Sequence, residues 1–196
     1  MRKEELIEKI DALKKDFFSM QELRKCFPHD NHIKMHIKRF MDTGLILPIT
    51  KGVYTFTSHP VDLEKVATQL YYPSYISFES ALSKYGIMNQ GMNILTLATT
   101  RHSKRMNLMK IECEYRQIKK EYFFGFQLLD SMYLADPEKA FIDMLYLVTL
   151  GKRKMDYSEW YLDSLNIKKI HQYLKKYPIH FRDKVNNLLE KKSAPI

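Results

Sequence analysis

Two glutamates on one strand face are the first arrangement in this sequence that could do chemistry. Glu112 and Glu114 alternate within Lys110-Ile111-Glu112-Cys113-Glu114-Tyr115, so an extended chain points both carboxylates to the same side. Such a pair could help hold Mg²⁺ for phosphodiester cleavage, which needs two or three converging carboxylates and often a lysine. Asp136-Pro137-Glu138-Lys139 has suitable residue types, but a nuclease Glu-x-Lys belongs on a strand well after its Asp. A helix cap, a proline at the first helical position and an acid near the positive helix end explain that run without chemistry. The solvent face of an amphipathic strand likewise explains Glu112 and Glu114. His32 and His36 stand i, i+4 on a helix and could chelate a metal. The other histidines (His29, His59, His102, His171, His180) supply no third ligand at a recognisable spacing. Ser77 lies in no Gly-x-Ser-x-Gly elbow, and the six glycines form no phosphate-binding loop. Cys26 and Cys113 are in neither metal-ligand nor CxxC spacing, and read as reduced, half-buried thiols. The expectation is a protein that is not an enzyme, with no catalytic residue, no metal and no cofactor.

A different chemistry is written into residues 30–56. Lys34, Lys38 and Arg39 fall on one side of a helix, Asn31 and His32 sit at its start, and Lys51 sits in a following turn. Lysine and arginine there would contact phosphate (Lys34, Lys38, Arg39, Lys51), while Asn31, His32 and Arg39 would reach base edges. Lys plus Arg exceed Asp plus Glu by 32 to 23, giving a net charge of +9 and a pI near 9.3. That balance fits an anionic partner such as nucleic acid or an acidic protein surface. The plainer alternative is a surface helix whose lysines only keep it soluble. The aromatic pairs Tyr71-Tyr72, Phe123-Phe124 and Trp160-Tyr161 could stack on bases, but their spacing suits core positions better.

The elements that must position these residues follow from periodicity. Residues 3–15 read as a helix with Leu6, Ile7, Ile10 and Leu13 inward. Ser19-Met20-Gln21-Glu22 is a capping box, so a short helix runs from Met20 to Cys26 and stops at Phe27-Pro28. A third helix spans Asp30 to Asp42, capped at Asp30–Asn31, with Ile33, Ile37, Phe40 and Met41 inward and Gly44 just past its end. Leu45 to Phe56 reads as a hairpin around Lys51-Gly52. Helix, short helix, longer basic helix and hairpin is the order of a winged helix-turn-helix, whose third helix enters the major groove.

Thr57-Ser58-His59-Pro60 reads as a linker. Helices follow at 62–70 and 78–85, the second capped by Ser77 and closed by Gly86 with Ile87 against Leu82. The period then changes to strands at 93–99, 110–115, 121–128 and 131–135, with Arg101-His102-Ser103-Lys104-Arg105 as a basic connection. In the second strand Ile111, Cys113 and Tyr115 share one face. Asp136 caps a helix that buries a stripe of Phe141, Met144, Leu145 and Val148; Gly151 ends it, beside Lys152-Arg153-Lys154. Tyr157 to Glu190 reads as helical with a break at Pro178, and Lys191 to Ile196 as a frayed tail. The N-terminus shows no secretory signal, and no stretch is apolar enough to span a membrane.

The chain resembles the AbiEi-like antitoxins, transcriptional regulators of viral defence or abortive-infection systems. The resemblance runs over roughly residues 1–150. It is carried by the winged-helix pattern leading into Gly52-Val53-Tyr54, by Pro73-Ser74-Tyr75-Ile76-Ser77 with Glu79-Ser80-Ala81-Leu82 and Tyr85-Gly86, by the basic connection near Arg101, and by Pro137-Glu138-Lys139-Ala140 with Asp143. The order of these motifs carries the likeness; no one of them is as specific as a catalytic signature. The resemblance implies an N-terminal DNA-binding domain that represses its own operon. It also implies a C-terminal domain that counteracts a toxin of nucleotidyltransferase-like fold, directly or through the toxin's effects.

The sequence is thus read as α+β, with a winged helix-turn-helix over 1–58 and a small β-sheet packed with helices over 61–196. Its expected partners are double-stranded promoter DNA and a cognate toxin, in the cytoplasm and away from membranes. The competing readings are a plain winged-helix operon regulator with a ligand-sensing or dimerising C-terminal domain and, third, a nuclease.

Overall fold

The computed structural model describes residues 1–89, 94–153 and 160–193. The fold is α+β and contains two sheets. The first part of the chain runs α1 (Lys3–Asp11), β1 (Phe18–Ser19), α2 (Met20–Cys26), α3 (Ile33–Asp42), β2 (Ile46–Thr50) and β3 (Val53–Phe56). Its three strands pair antiparallel in the order β1-β3-β2. The hairpin turn uses Gly52 at φ +77°, a conformation costly to residues with a Cβ.

α1 stops at Asp11 rather than Lys15. The Leu13 and Lys14 N–H groups close onto the Ile10 and Asp11 carbonyls, and Lys14 takes φ +51°. That turn brings Phe18 beside Tyr54. The two-residue β1 is too short to show a period, so sequence reasoning missed it. α2 has its capping box as expected: Ser19 Oγ accepts the Glu22 N–H at 3.1 Å, and Glu22 accepts the Ser19 N–H at 2.8 Å. α3 begins at Ile33 rather than Asp30. The Asp30 carboxylate accepts the His32 N–H at 2.8 Å, in a turn before the helix, and the cap residue is His32 without a side-chain cap bond. Gly44 ends α3 at φ +69°.

The second part runs α4 (Leu63–Leu70), β4 (Ser74–Ile76), α5 (Phe78–Lys84), β5 (Ile94–Thr99), β6 (Lys104–Leu108), β7 (Ile111–Gln117), a 3₁₀ turn (Lys120–Tyr122), β8 (Phe126–Leu129), β9 (Met132–Ala135), α6 (Pro137–Thr149), α7 (Ile167–Leu174) and α8 (Ile179–Ser193). The six strands form a mixed sheet in the order β6-β7-β5-β4-β9-β8, parallel at β5/β7 and β4/β9. Tyr115 donates to the Ala67 carbonyl of α4 at 2.8 Å, while Tyr75 reaches Asp143 of α6 from the opposite face. Helices therefore cover both faces.

Several expectations change here. β4 was not foreseen. The basic run at Arg101 is a connection only through Ser103, because Lys104 and Arg105 already pair with β7. Residues 121–128 are a 3₁₀ turn followed by a strand beginning at Phe126, with Gly125 between them at φ +72°. Ser77 does not cap α5 with its side chain; its hydroxyl donates to Asp143 at 2.9 Å instead. Asp136 likewise makes no side-chain cap bond, and accepts from Tyr173 at 2.6 Å. The Ile87 N–H does close onto the Leu82 carbonyl at 2.9 Å. α6 is buried over most of its surface and not along one stripe, since Glu138, Lys139, Ala140, Ile142, Asp143 and Leu147 are also buried, while Val148 of the expected stripe is only half-buried. It is the central helix, packed against α5, α7 and α8. Residues 160–166 are not helical. The expectations at Asn93, Lys154, residues 157–159 and the last three residues lie outside the described residues.

Apolar burial forms two clusters. One joins Leu6, Phe18, Leu23, Ile37, Phe40 and Ile46. The larger is built on the six-stranded sheet and also takes in Phe17, Ile49 and Val53. The Met109 N–H donates to the Ile49 carbonyl at 2.6 Å, and Lys65 pairs with Asp16 at 2.5 Å. The β2–β3 hairpin is therefore seated on the second part of the chain. No helix among the described residues is long and apolar enough to cross a membrane.

Candidate nucleic-acid interface

α3 turns by about 100° per residue. That rotation places Ile33, Ile37 and Phe40 inward, where all three are buried. Lys34, Met35, Lys38, Arg39 and Asp42 are left exposed on the outer side. Lys34 and Lys38, one turn apart, form a pair of neighbouring cations. Among the described residues the Lys34, Lys38 and Lys51 side chains make no hydrogen bond or ion pair, and all three are exposed. Asp42 is the acid of that face and lies at its far end.

Asn31, His32 and Lys34 line one groove together with Met20, Arg24, Phe27, Pro28 and Met35. The Met20 N–H donates to the Gly52 carbonyl at 2.8 Å, so the turn bearing Lys51 adjoins the end of α2 that borders this groove. Five of the six expected contact residues thus belong to one surface. Arg39 stands apart. Its guanidinium donates to the Met1 carbonyl at 3.2 Å and packs 5.0 Å from the Phe40 ring centroid. It points towards the N-terminal segment, on the flank of α3 away from Lys34 and Lys38. Arg24 was missed by sequence reasoning. The signal was present as a basic pair, Arg24-Lys25, closing the last turn of a helix whose capping box was already recognised.

The groove contains one acid. Asp30 loses solvation there, which pushes its pKa up. The His32 N–H, the nearby His36 and the α-amino group outweigh that and hold it below the ordinary value. His36 is half-buried, with Nε2 3.4 Å from Asp30 and Nδ1 buried, whereas His32 is exposed, so the i, i+4 histidines do not open onto solvent together. Among the described residues no group of three His, Cys, Asp or Glu side chains could hold a metal ion.

The other chemical candidates are placed as follows. Glu112 is partly exposed, whereas Glu114 is 2% exposed and not on a solvent face. Burial raises the Glu114 pKa, but Arg105, Arg153 and Arg116 together bring it below the usual carboxylate value. Arg105 donates to Glu114 at 2.6 and 3.0 Å, and Arg116 and Arg153 also donate to it. Arg153 pairs further with Glu79 at 3.0 Å. A carboxylate ringed by three guanidinium groups is already charge-paired and is a poor ligand for a cation. Lys139 and Asp143 form a buried ion pair one helical turn apart. Asp143 also accepts from Tyr75 at 2.8 Å and from Ser77, so Ser77 is 0% exposed and out of reach of any substrate. Burial lowers the Lys139 pKa against the pull of Asp143. Cys113 is buried, which pushes its thiol up to about 12, so it is protonated at neutral pH; Cys26 is half-buried and both are free. Of the aromatic pairs, Tyr72 and Tyr161 are exposed and the remaining rings are buried or half-buried.

No protein-family model matches the chain, and no curated protein matches it significantly.

Proposed function

We propose that residues 1–58 are a winged helix-turn-helix that binds double-stranded promoter DNA. In this reading the start of α3 enters the major groove, and Lys34, Lys38, Arg24 and Lys51 meet phosphates on either side. One observation carries the proposal: the outer face of α3, the groove at its start and the hairpin turn form one surface whose lysines have no hydrogen-bond or ion-pair partner among the described residues. Unpaired cations clustered on one face are the electrostatic footprint of a phosphate-binding surface. Arg39 is assigned a lesser share, because the Met1 carbonyl already engages it.

We further propose that the chain is a cytoplasmic repressor of its own operon and an antitoxin that counteracts a nucleotidyltransferase-like toxin. This half rests on the resemblance to AbiEi-like antitoxins. It is supported by where the resembling motifs meet. Tyr75 and Ser77 from the Pro73–Ser77 motif contact Asp143 from the last, and Tyr85 donates to the Ala135 carbonyl just before it. Two experiments separate the halves. Gel retardation with the DNA upstream of the gene should show binding by the full chain; no retardation at low salt refutes the first half. Co-expression with the adjacent gene product should restore growth; a toxic neighbour that the full chain fails to counteract refutes the second half and leaves a plain operon regulator.

A further inference from the structure

The two edges of the six-stranded sheet differ in kind. β6 carries exposed Lys104 and Arg105, and the turn that follows it is bonded to the hairpin through Met109 and Ile49. Charge and cover of this sort keep an edge strand from pairing with other chains. β8 has neither. It reads Phe126-Gln127-Leu128-Leu129, without a charge, and its last three residues are exposed. Among the described residues its strand partner is β9 alone, so one side of its backbone keeps unpaired N–H and C=O groups. Beside it lies an apolar patch. Leu128 faces Tyr133 across the hairpin, and the Tyr133 ring lies 6.2 Å from that of Tyr72. Leu128 is 58% and Tyr72 61% exposed.

We infer that β8 pairs antiparallel with β8 of a second copy of this chain, joining the two sheets into one across a two-fold axis. Charge selects this occupant. Asp130 closes the C-terminal end of β8. At the other end the Lys176 ammonium lies 4.0 Å from the Phe124 ring centroid. Antiparallel pairing brings the acidic end of each strand to the basic end of its mate, and two-fold symmetry makes that contact twice. The uncharged stretch between them is where copies with a net charge of +9 can approach without opposing like charges, since charges beyond about 8 Å are largely screened at physiological salt. Leu128 and Tyr72 then lie along the covered face.

Sedimentation of the full chain over a range of concentrations tests this, together with Leu128→Lys and Lys176→Glu. Both changes are at exposed positions. The wild type should dimerise, and each variant should raise the dissociation constant about tenfold or more, through like charges placed across the axis. Amide exchange at Phe126 and Leu128, whose N–H groups face the open edge and not β9, should slow as the dimer forms. A wild type that stays monomeric throughout overturns the inference, as does a dimer that neither variant weakens. Amides protected equally in monomer and dimer would mean that the edge is covered from within the chain. Protection appearing only when a different protein is added would assign the edge to that partner. Either result also overturns the inference.

Discussion

Removing the Asp143 carboxylate should strain the second core more than any comparable truncation there. In Asp143→Ala the Lys139 ammonium, 0% exposed, loses its ion-pair partner. It keeps the Tyr177 hydroxyl at 3.4 Å and the Phe124 ring, 5.0 Å from its centroid. Breaking one side of a buried pair costs roughly 3–5 kcal/mol. An independent bound agrees: if Lys139 sheds its proton instead, neutralising a lysine at pH 7 costs at most about 5 kcal/mol, at 1.36 kcal/mol per pKa unit. Tyr75 and Ser77 also lose their acceptor, so the upper half of that range is expected. Domains of this size lose about 2–4 °C of Tm per kcal/mol, which predicts a fall of roughly 10–20 °C in a circular-dichroism melt. Lys139→Met with Asp143→Asn removes both charges and keeps an acceptor for the two hydroxyls. That double variant should recover at least about 2 kcal/mol relative to Asp143→Ala. A fall below about 3 °C for Asp143→Ala, or a double variant no more stable than the single one, would refute the reasoning.

Two further stability predictions follow from named contacts. Ile37→Asp places an unpaired carboxylate at a site that is 2% exposed in the first core; it should cost on the order of 3 kcal/mol or more, read as an early loss of DNA binding on heating. Glu114 has its folded pKa held below the unfolded value, so its contribution is complete above about pH 4.5 and is lost as pH falls through the folded value. An acid titration of Tm should therefore be steeper for wild type than for Glu114→Gln, and parallel curves would show that the guanidinium cluster does not hold this carboxylate.

What could be read from the chain was mainly local. The capping box at Ser19, Gly44, the hairpin around Gly52 and the closure at Gly86 each need only near neighbours, and each is where the sequence placed it. Misreadings arose where a side chain had a partner other than the helix end it was expected to cap, distant for Ser77 and Asp136 and two residues away for Asp30. Ser77, Asp136 and Asp30 all carry the residue type of a helix cap, yet Asp143, Tyr173 and the turn at His32 engage them instead. Glu114 alternates as a solvent-facing strand residue should, but Arg153, just past the end of α6, joins Arg105 and Arg116 to cover it. α6 shows only an apolar stripe in the sequence because Glu138, Lys139 and Asp143 are polar by type, yet all three are buried. Their pairing with Lys169, with each other and with Tyr75 is invisible to periodicity. Of the candidate interface, the cations of α3 were legible from spacing. The share taken by Met1 from Arg39, and the place of Arg24 in the groove, depend on how α1 and α2 pack.

The salt dependence of DNA binding tests the central claim most directly. Affinity of the full chain for its upstream DNA, measured across a salt series, should fall linearly on logarithmic axes, and each lost phosphate contact should flatten that slope by about 0.9. Lys34→Glu with Lys38→Glu, both exposed, should leave the melting curve unchanged, weaken binding at every salt concentration and flatten the slope by roughly two units. A folded double variant that binds with the wild-type affinity and slope would contradict the assignment of this face to DNA.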